Sequence, residues 1–145
     1  MVSPDELSPE ELARRCAEVM WATDGASRGL GMEIRSIGPG TAELSMVVRE
    51  DMVNGWGSAH GGFIAALADS AFAFACNSRG QVTVAAGFDI SYLEPGRLGD
   101  VLVATCVERS LRGRSGIYDA TVRRDDTVIA EFRGRSRSLG RPIDL

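Results

Sequence analysis

Between His60 and Asn77 the chain reads HGGFIAALADSAFAFACN, apolar at nearly every helical position but with one carboxylate, Asp69, near its middle. A helix apolar on every side must be covered on every side. The run, interrupted by Asp69, Ser70 and Asn77, does not suit a membrane span, which needs about 20 apolar residues. Elsewhere the pattern alternates. Residues 31–38 and 41–49 flank Gly38-Pro39-Gly40, and TAELSMVV switches between apolar and polar at each step, which predicts a β-hairpin. Four more strand-like runs, at 81–93, 100–110, 115–124 and 127–138, are separated by Glu94-Pro95-Gly96, Arg112-Gly113 and Asp125-Asp126. Such short links join antiparallel neighbours. The packing that buries the apolar helix is then a strongly curved antiparallel sheet wrapped around it, an α+β architecture. One helix face is left over, which suits a second subunit.

Ahead of the hairpin, Ser3-Pro4-Asp5-Glu6 and Ser8-Pro9-Glu10-Glu11 each place Ser at an N-cap, Pro at the first helical position and an acid three residues after the cap. A helix over 9–22 follows, with Leu12, Cys16, Val19 and Met20 as its apolar stripe and Asp24-Gly25 as its stop. With 145 residues the chain is read as one domain, 1–145, made of an N-terminal helical segment (1–28) and a core (30–140).

Charge narrows the partners. The net charge is −4 and all 16 basic residues are Arg, so a nucleic-acid backbone finds little electrostatic footprint, and Schiff-base or Lys general-base chemistry has no residue to use. Cys16, Cys76 and Cys106 are odd in number and far apart, which suggests neither a disulfide framework nor a zinc site. The acidic, polar opening MVSPDELSPEELARR is the wrong chemistry for a signal peptide, and the chain is expected to be cytoplasmic, with no membrane or nucleic-acid partner.

An ionised carboxylate buried without partners costs several kcal/mol, so Asp69 has either a structural partner or a chemical task. At the start of the same helix, His60-Gly61-Gly62 presents unpaired N–H groups carrying a partial positive charge, a site suited to an anion or to the oxyanion of an attacked acyl carbonyl. His60 is the only His, and Asn54 lies six residues earlier in a Gly-rich loop. At 1.5 Å per residue, Gly61 and Asp69 are about 12 Å apart along one helix. A base and an oxyanion donor must both reach one reacting centre, so a catalytic pair requires Asp69 of one subunit to face Gly61 of another. No G-x-S-x-G, G-x-G-x-x-G, P-loop or H-E-x-x-H motif is present, and no acidic cluster invites a metal. Neither a metal nor a cofactor is expected. In TVIAEFRGRSRSL, Val128, Ala130 and Phe132 alternate with Ile129, Glu131, Arg133, Arg135 and Arg137, so the three arginines share one strand face with Ile129, either solvated or a clamp for phosphates.

N-G-x-x-x-x-H-G-G, L-A-D-S-A-F-A-F-A-C-N, S-Y-L-E-P-G, G-D, G-x-Y-D and F-R-G-R-S, in that order over residues 30–140, resemble the hot-dog-fold acyl-CoA thioesterases, most closely those of phenylacetic acid degradation. The resemblance implies a helix wrapped by a sheet, a homodimer as the minimum active unit and a homotetramer as a dimer of dimers. It also implies hydrolysis of arylacetyl-CoA thioesters, with CoA part of the substrate. Asp69 would activate water or attack directly, and the Gly61 N–H would hold the thioester oxygen. His60 and Asn54 would orient the thioester and water. Gly62, Thr83, Phe72, Arg133 and Arg135 are the expected substrate contacts, and Phe74, Met52 and Trp56 are further candidates for an aromatic pocket. The rivals are a hot-dog enoyl-CoA hydratase and a non-catalytic acyl-CoA binding module.

Overall fold

The computed structural model describes residues 3–145. Ser3 accepts from Asp5 N–H and Glu6 reaches back to Ser3, closing a capping box on a single 3-10 turn, Pro4–Glu6. Ser8 then caps α1, Pro9–Thr23. The buried stripe of α1 is Ala13, Cys16 and Ala17, whereas Val19, expected inside, is exposed. Small alanines let α1 lie close to the strand and helix it packs against. Asp24 ends α1 as expected, its backbone N–H donating to Trp21 C=O, but a second helix starts from it. The Asp24 side chain accepts from Ser27 N–H at 2.9 Å and caps this helix, α2, Gly25–Gly29.

The strands are β1 Glu33–Gly38, β2 Thr41–Val47, β3 Gln81–Tyr92, β4 Val101–Arg112, β5 Ser115–Arg124 and β6 Thr127–Pro142. They form one sheet in the order β1-β2-β4-β5-β6-β3, antiparallel at every step. The apolar run is α3, Gly61–Cys76, and it packs against all six strands. This is the hot-dog arrangement. Leu67, Ala68, Ala71 and Phe72 are at most 1% exposed against the inner sheet face, and burying each large side chain among them stabilises by about 1.5–3 kcal/mol.

Two details differ from simple alternation. Ile129, expected on the face of the β6 arginines, is completely buried, because the β5–β6 register slips between Val122 and Arg123 and turns it inward. At Gly134 a Cβ would lie 2.7–2.8 Å from the ring of Phe72, so β6 rests directly on that ring.

The helix is not covered all round. Gly62 is exposed, and Ala66, Asp69 and Ala73 are only partly buried; at spacings of four, three and four they form one stripe that the chain's own sheet leaves open. At its far end Asn77 locks α3 to β3, donating to Thr83 C=O and accepting from Thr83 N–H, each at 2.9 Å.

Candidate active site

The approach to α3 is built by Asn54. Its side-chain oxygen accepts from the backbone N–H of Trp56 at 2.9 Å and of Ser58 at 3.2 Å, while its own backbone N–H donates to Ser58 C=O at 2.8 Å. Such a side-chain turn fixes a short loop without regular structure. His60 N–H then donates to Met52 C=O at 2.8 Å, which sets the point where the loop becomes helix. His60 is the N-cap, yet its side chain caps nothing and is exposed, so the imidazole is free to meet a ligand.

The first turn of α3 leaves its leading N–H groups without intrahelical acceptors. Among the described residues those of Gly61 and Gly62 find no acceptor elsewhere. Neither glycine has a positive φ, so backbone freedom explains neither, and steric room explains Gly61 alone. A Cβ on Gly62 would meet nothing within 4 Å. A Cβ on Gly61 would lie 2.7 Å from Tyr92 Cζ and 2.8 Å from its hydroxyl. Beside them opens a cavity of about 480 Å³ lined by Ala59, Gly61, Ile64 and Tyr92 to Pro95. Tyr92, Leu93, Glu94 and Pro95 were not among the expected site residues. The S-Y-L-E-P-G motif marks them, but only the fold shows that they stand against Gly61.

Asp69 projects from the open stripe two turns along the helix. Burial pushes its carboxyl above the usual carboxylate range, with no donor or counter-charge acting to lower it. Its neighbour Ser70 is held by Ser27 at 2.7 Å, and Ser27 in turn by Asp24 at 2.7 Å, so the N-terminal segment braces the helix beside the carboxylate. Within one chain nothing brings Asp69 to Gly61, because both ride on the same helix, eight residues apart.

Other expected contacts are placed elsewhere. Phe72 is 1% exposed, packed on Tyr118 and Phe132 at ring distances of 5.6 and 5.8 Å, and Phe74 and Met52 are equally buried. All three are core, not pocket wall, because the curved sheet closes over them. Trp56 stands 88% exposed at the loop tip. Thr83 sits beyond the C-terminal end of α3, and its hydroxyl is spent on Gln81 C=O at 2.9 Å.

Arg133 and Arg135 point outward from β6. Arg133 grips Asp119 through two bonds of 2.7 and 2.9 Å, and Arg109 adds a third at 2.9 Å. Arg133 and Arg109 hold the Asp119 carboxyl below the usual carboxylate range. Arg135 has one bond, 2.9 Å, to the exposed Asp89. Arg135 also lines a second concavity of about 410 Å³ on the outer sheet face with Arg112, Arg137 and Ser115, and Arg112 and Arg137 have no carboxylate partner among the described residues. All three cysteines are free and buried, and burial pushes the Cys76 and Cys106 thiols up to about 12, which leaves them unreactive. No described helix is long and apolar enough to cross a membrane.

The thioesterase superfamily model matches residues 57–131, the stretch holding the α3 N-terminus, Asp69 and the cavity wall. Acyl-coenzyme A thioesterase PaaI of Escherichia coli is 41% identical over 128 residues, 88% of this chain and 91% of the relative. The chain belongs to the thioesterase superfamily. The solved structure of the E. coli PaaI protein superposes on this thioesterase with a TM-score of 0.92, covering 94% of this chain and all of the other at 38% identity. A mutant of the phenylacetic acid degradation protein PaaI from Thermus thermophilus gives a TM-score of 0.78 at 37% identity, covering 80% and 100%. A Streptococcus mutans protein bound to acetyl CoA gives 0.74 at 25%, covering 77% and 91%. The chain is thus a thioester hydrolase, an acyl-CoA thioesterase of the PaaI type.

Proposed function

We propose that this thioesterase hydrolyses arylacetyl-CoA thioesters to the free acid and CoA, at sites each shared by two copies of the chain. The observation that carries the shared site is the pairing on α3 of free N–H groups at Gly61 and Gly62 with a carboxylate about 12 Å further along the rod, in the helix stripe the chain leaves open. An antiparallel meeting of two such stripes sets Asp69 of one copy against the helix N-terminus of the other, twice by symmetry.

In that arrangement the thioester oxygen accepts from the Gly61 N–H, with the Gly62 N–H beside it, and one such donor contributes about 3–4 kcal/mol as the carbonyl becomes an oxyanion. His60 and Asn54 orient the thioester and the water. Asp69, made more basic by burial, takes the proton from water as its oxygen bonds to the carbonyl carbon. Collapse of the tetrahedral intermediate breaks the carbon–sulfur bond, and the sulfur leaves with a proton returned from Asp69. Direct attack by Asp69 forms an anhydride, and water opening it at the Asp69 carbonyl would instead place one solvent-labelled oxygen in the Asp69 side chain during a single turnover.

The cavity beside Gly61 supports the acyl assignment: Tyr92, Leu93 and Pro95 offer an apolar wall of the size an aryl group fills, and the E. coli and Thermus relatives are both named for phenylacetic acid degradation. For the nucleotide end, Arg135 is retained together with Arg112 and Arg137, whereas Arg133 is the less available of the two expected arginines, committed as it is to Asp119. The test is release of CoA thiol from phenylacetyl, hydroxyphenylacetyl, benzoyl and straight-chain CoA esters, with enoyl-CoA hydration followed alongside. Arylacetyl esters should give the highest kcat/KM. Preference for straight chains would overturn the acyl assignment, and hydration without thiol release would overturn the reaction.

A further inference from the structure

The best-placed residue that the reaction scheme above leaves unused is Tyr92, the last residue of β3. Its hydroxyl donates to the Gly61 carbonyl at 2.6 Å, its ring occupies the space a Gly61 side chain would need, and it lines the cavity beside that helix start. β3 is an edge strand, bonded to β6 alone, with Tyr92 opposite Ala130. A tyrosine at that edge thus reaches across to the helical turn that carries the free Gly61 and Gly62 N–H groups.

Resting on the thioesterase reading, we propose that Tyr92 is a positioning residue for the reaction: its hydroxyl fixes and polarises the Gly61–Gly62 peptide, and its ring holds the first turn of α3 in register with the substrate cavity. An amide whose carbonyl accepts a hydrogen bond becomes a stronger N–H donor, because the bonds in such a chain polarise one another. The carbonyl that Tyr92 engages belongs to the same peptide as the Gly62 N–H, so the effect falls on a donor at the thioester oxygen. Burial keeps the Tyr92 phenol above its ordinary value, so it remains a proton donor through the neutral range. Gly61 is glycine for two reasons that act together: the ring needs the space, and the donor needs the ring.

Two measurements test this. In the first, Tyr92→Phe keeps the ring and deletes the bond. With the best ester of the panel, kcat should fall about tenfold, the size of one neutral hydrogen bond, while KM stays within about twofold. Unchanged kcat, or a loss confined to KM, overturns the proposal. No thiol release by the wild type overturns the hydrolase reading itself, and the proposal with it. The second needs no turnover: Gly61→Ala should lower the Tm when Tyr92 is present and lower it much less in a Tyr92→Ala background, where the methyl has room. Equal losses in both backgrounds would mean that the ring does not hold the turn.

Discussion

Asp69→Asn separates chemistry from stability in a single substitution. Asparagine keeps the shape and volume of the side chain and removes its charge and its basicity. A positioned general base contributes about 10²–10⁴ in rate, so kcat should fall by that factor, about 3–5 kcal/mol of transition-state stabilisation at 1.36 kcal/mol per decade. Stability should move the other way. Burial raises the Asp69 pKa above its ordinary 3.8 and nothing in the chain offsets it. The folded state therefore binds the proton more tightly than the unfolded chain does, so this group's contribution is fully present below pH 3.8 and is lost as pH rises through the folded pKa. At about pH 8, well above the ordinary carboxylate range, the wild type carries a desolvated anion that the variant lacks, so the variant's Tm should be the higher there, with the gap closing on acidification. The wild type's kcat/KM should fall at acid pH along a limb governed by the same raised pKa, and the variant's residual activity should lack that limb. Thermal scans across pH, with thiol release measured at each, test both halves. Near-wild-type kcat, or a variant less stable than the wild type in the alkaline scans, would refute the reasoning.

Gly134→Ala places a methyl 2.7–2.8 Å from the Phe72 ring and should cost about 1–3 kcal/mol in urea unfolding, as overpacked cores do. An undiminished midpoint would show that β6 does not rest on that ring. Removing both Arg112 and Arg137 as glutamines should raise KM for CoA esters severalfold and flatten its dependence on salt, while Arg133→Gln, whose partner is Asp119, should leave KM within about twofold. The opposite ranking would return the phosphates to Arg133.

The order of elements was legible because hydrophobic period and turn chemistry agree along most of the chain: HGG starts α3, Asn77 follows its end, and glycine or acidic pairs separate the strands. Misread elements are places where one local signal has two meanings. Asp24-Gly25 is the stop of α1 that the sequence marks, but Asp also caps helices, and its side chain starts α2 at once. Ile129 shares alternation with the arginines of β6, and only a register slip against β5 turns it inward. Asp69, Gly61 and His60 stand out in sequence because a charge in an apolar helix and a His-Gly-Gly start need explanation. Tyr92 does not, since its importance comes from one bond to a residue 31 positions earlier. Arg133 and Arg135 look alike in sequence and differ only through Asp119 and Asp89, whose positions depend on strand pairing.

The shared active site is tested most directly by mixing two silent variants. Asp69→Asn and Gly61→Ala, each purified as a folded protein of low activity, are unfolded, combined in equal amounts and refolded together. If Asp69 of one copy serves Gly61 of the other, each mixed dimer holds one intact site and one doubly altered site. Random reassembly then restores about a quarter of wild-type thioester hydrolysis, since half the dimers are mixed. Activity no greater than the average of the two parents would show that a single chain carries the whole site, and would contradict the account.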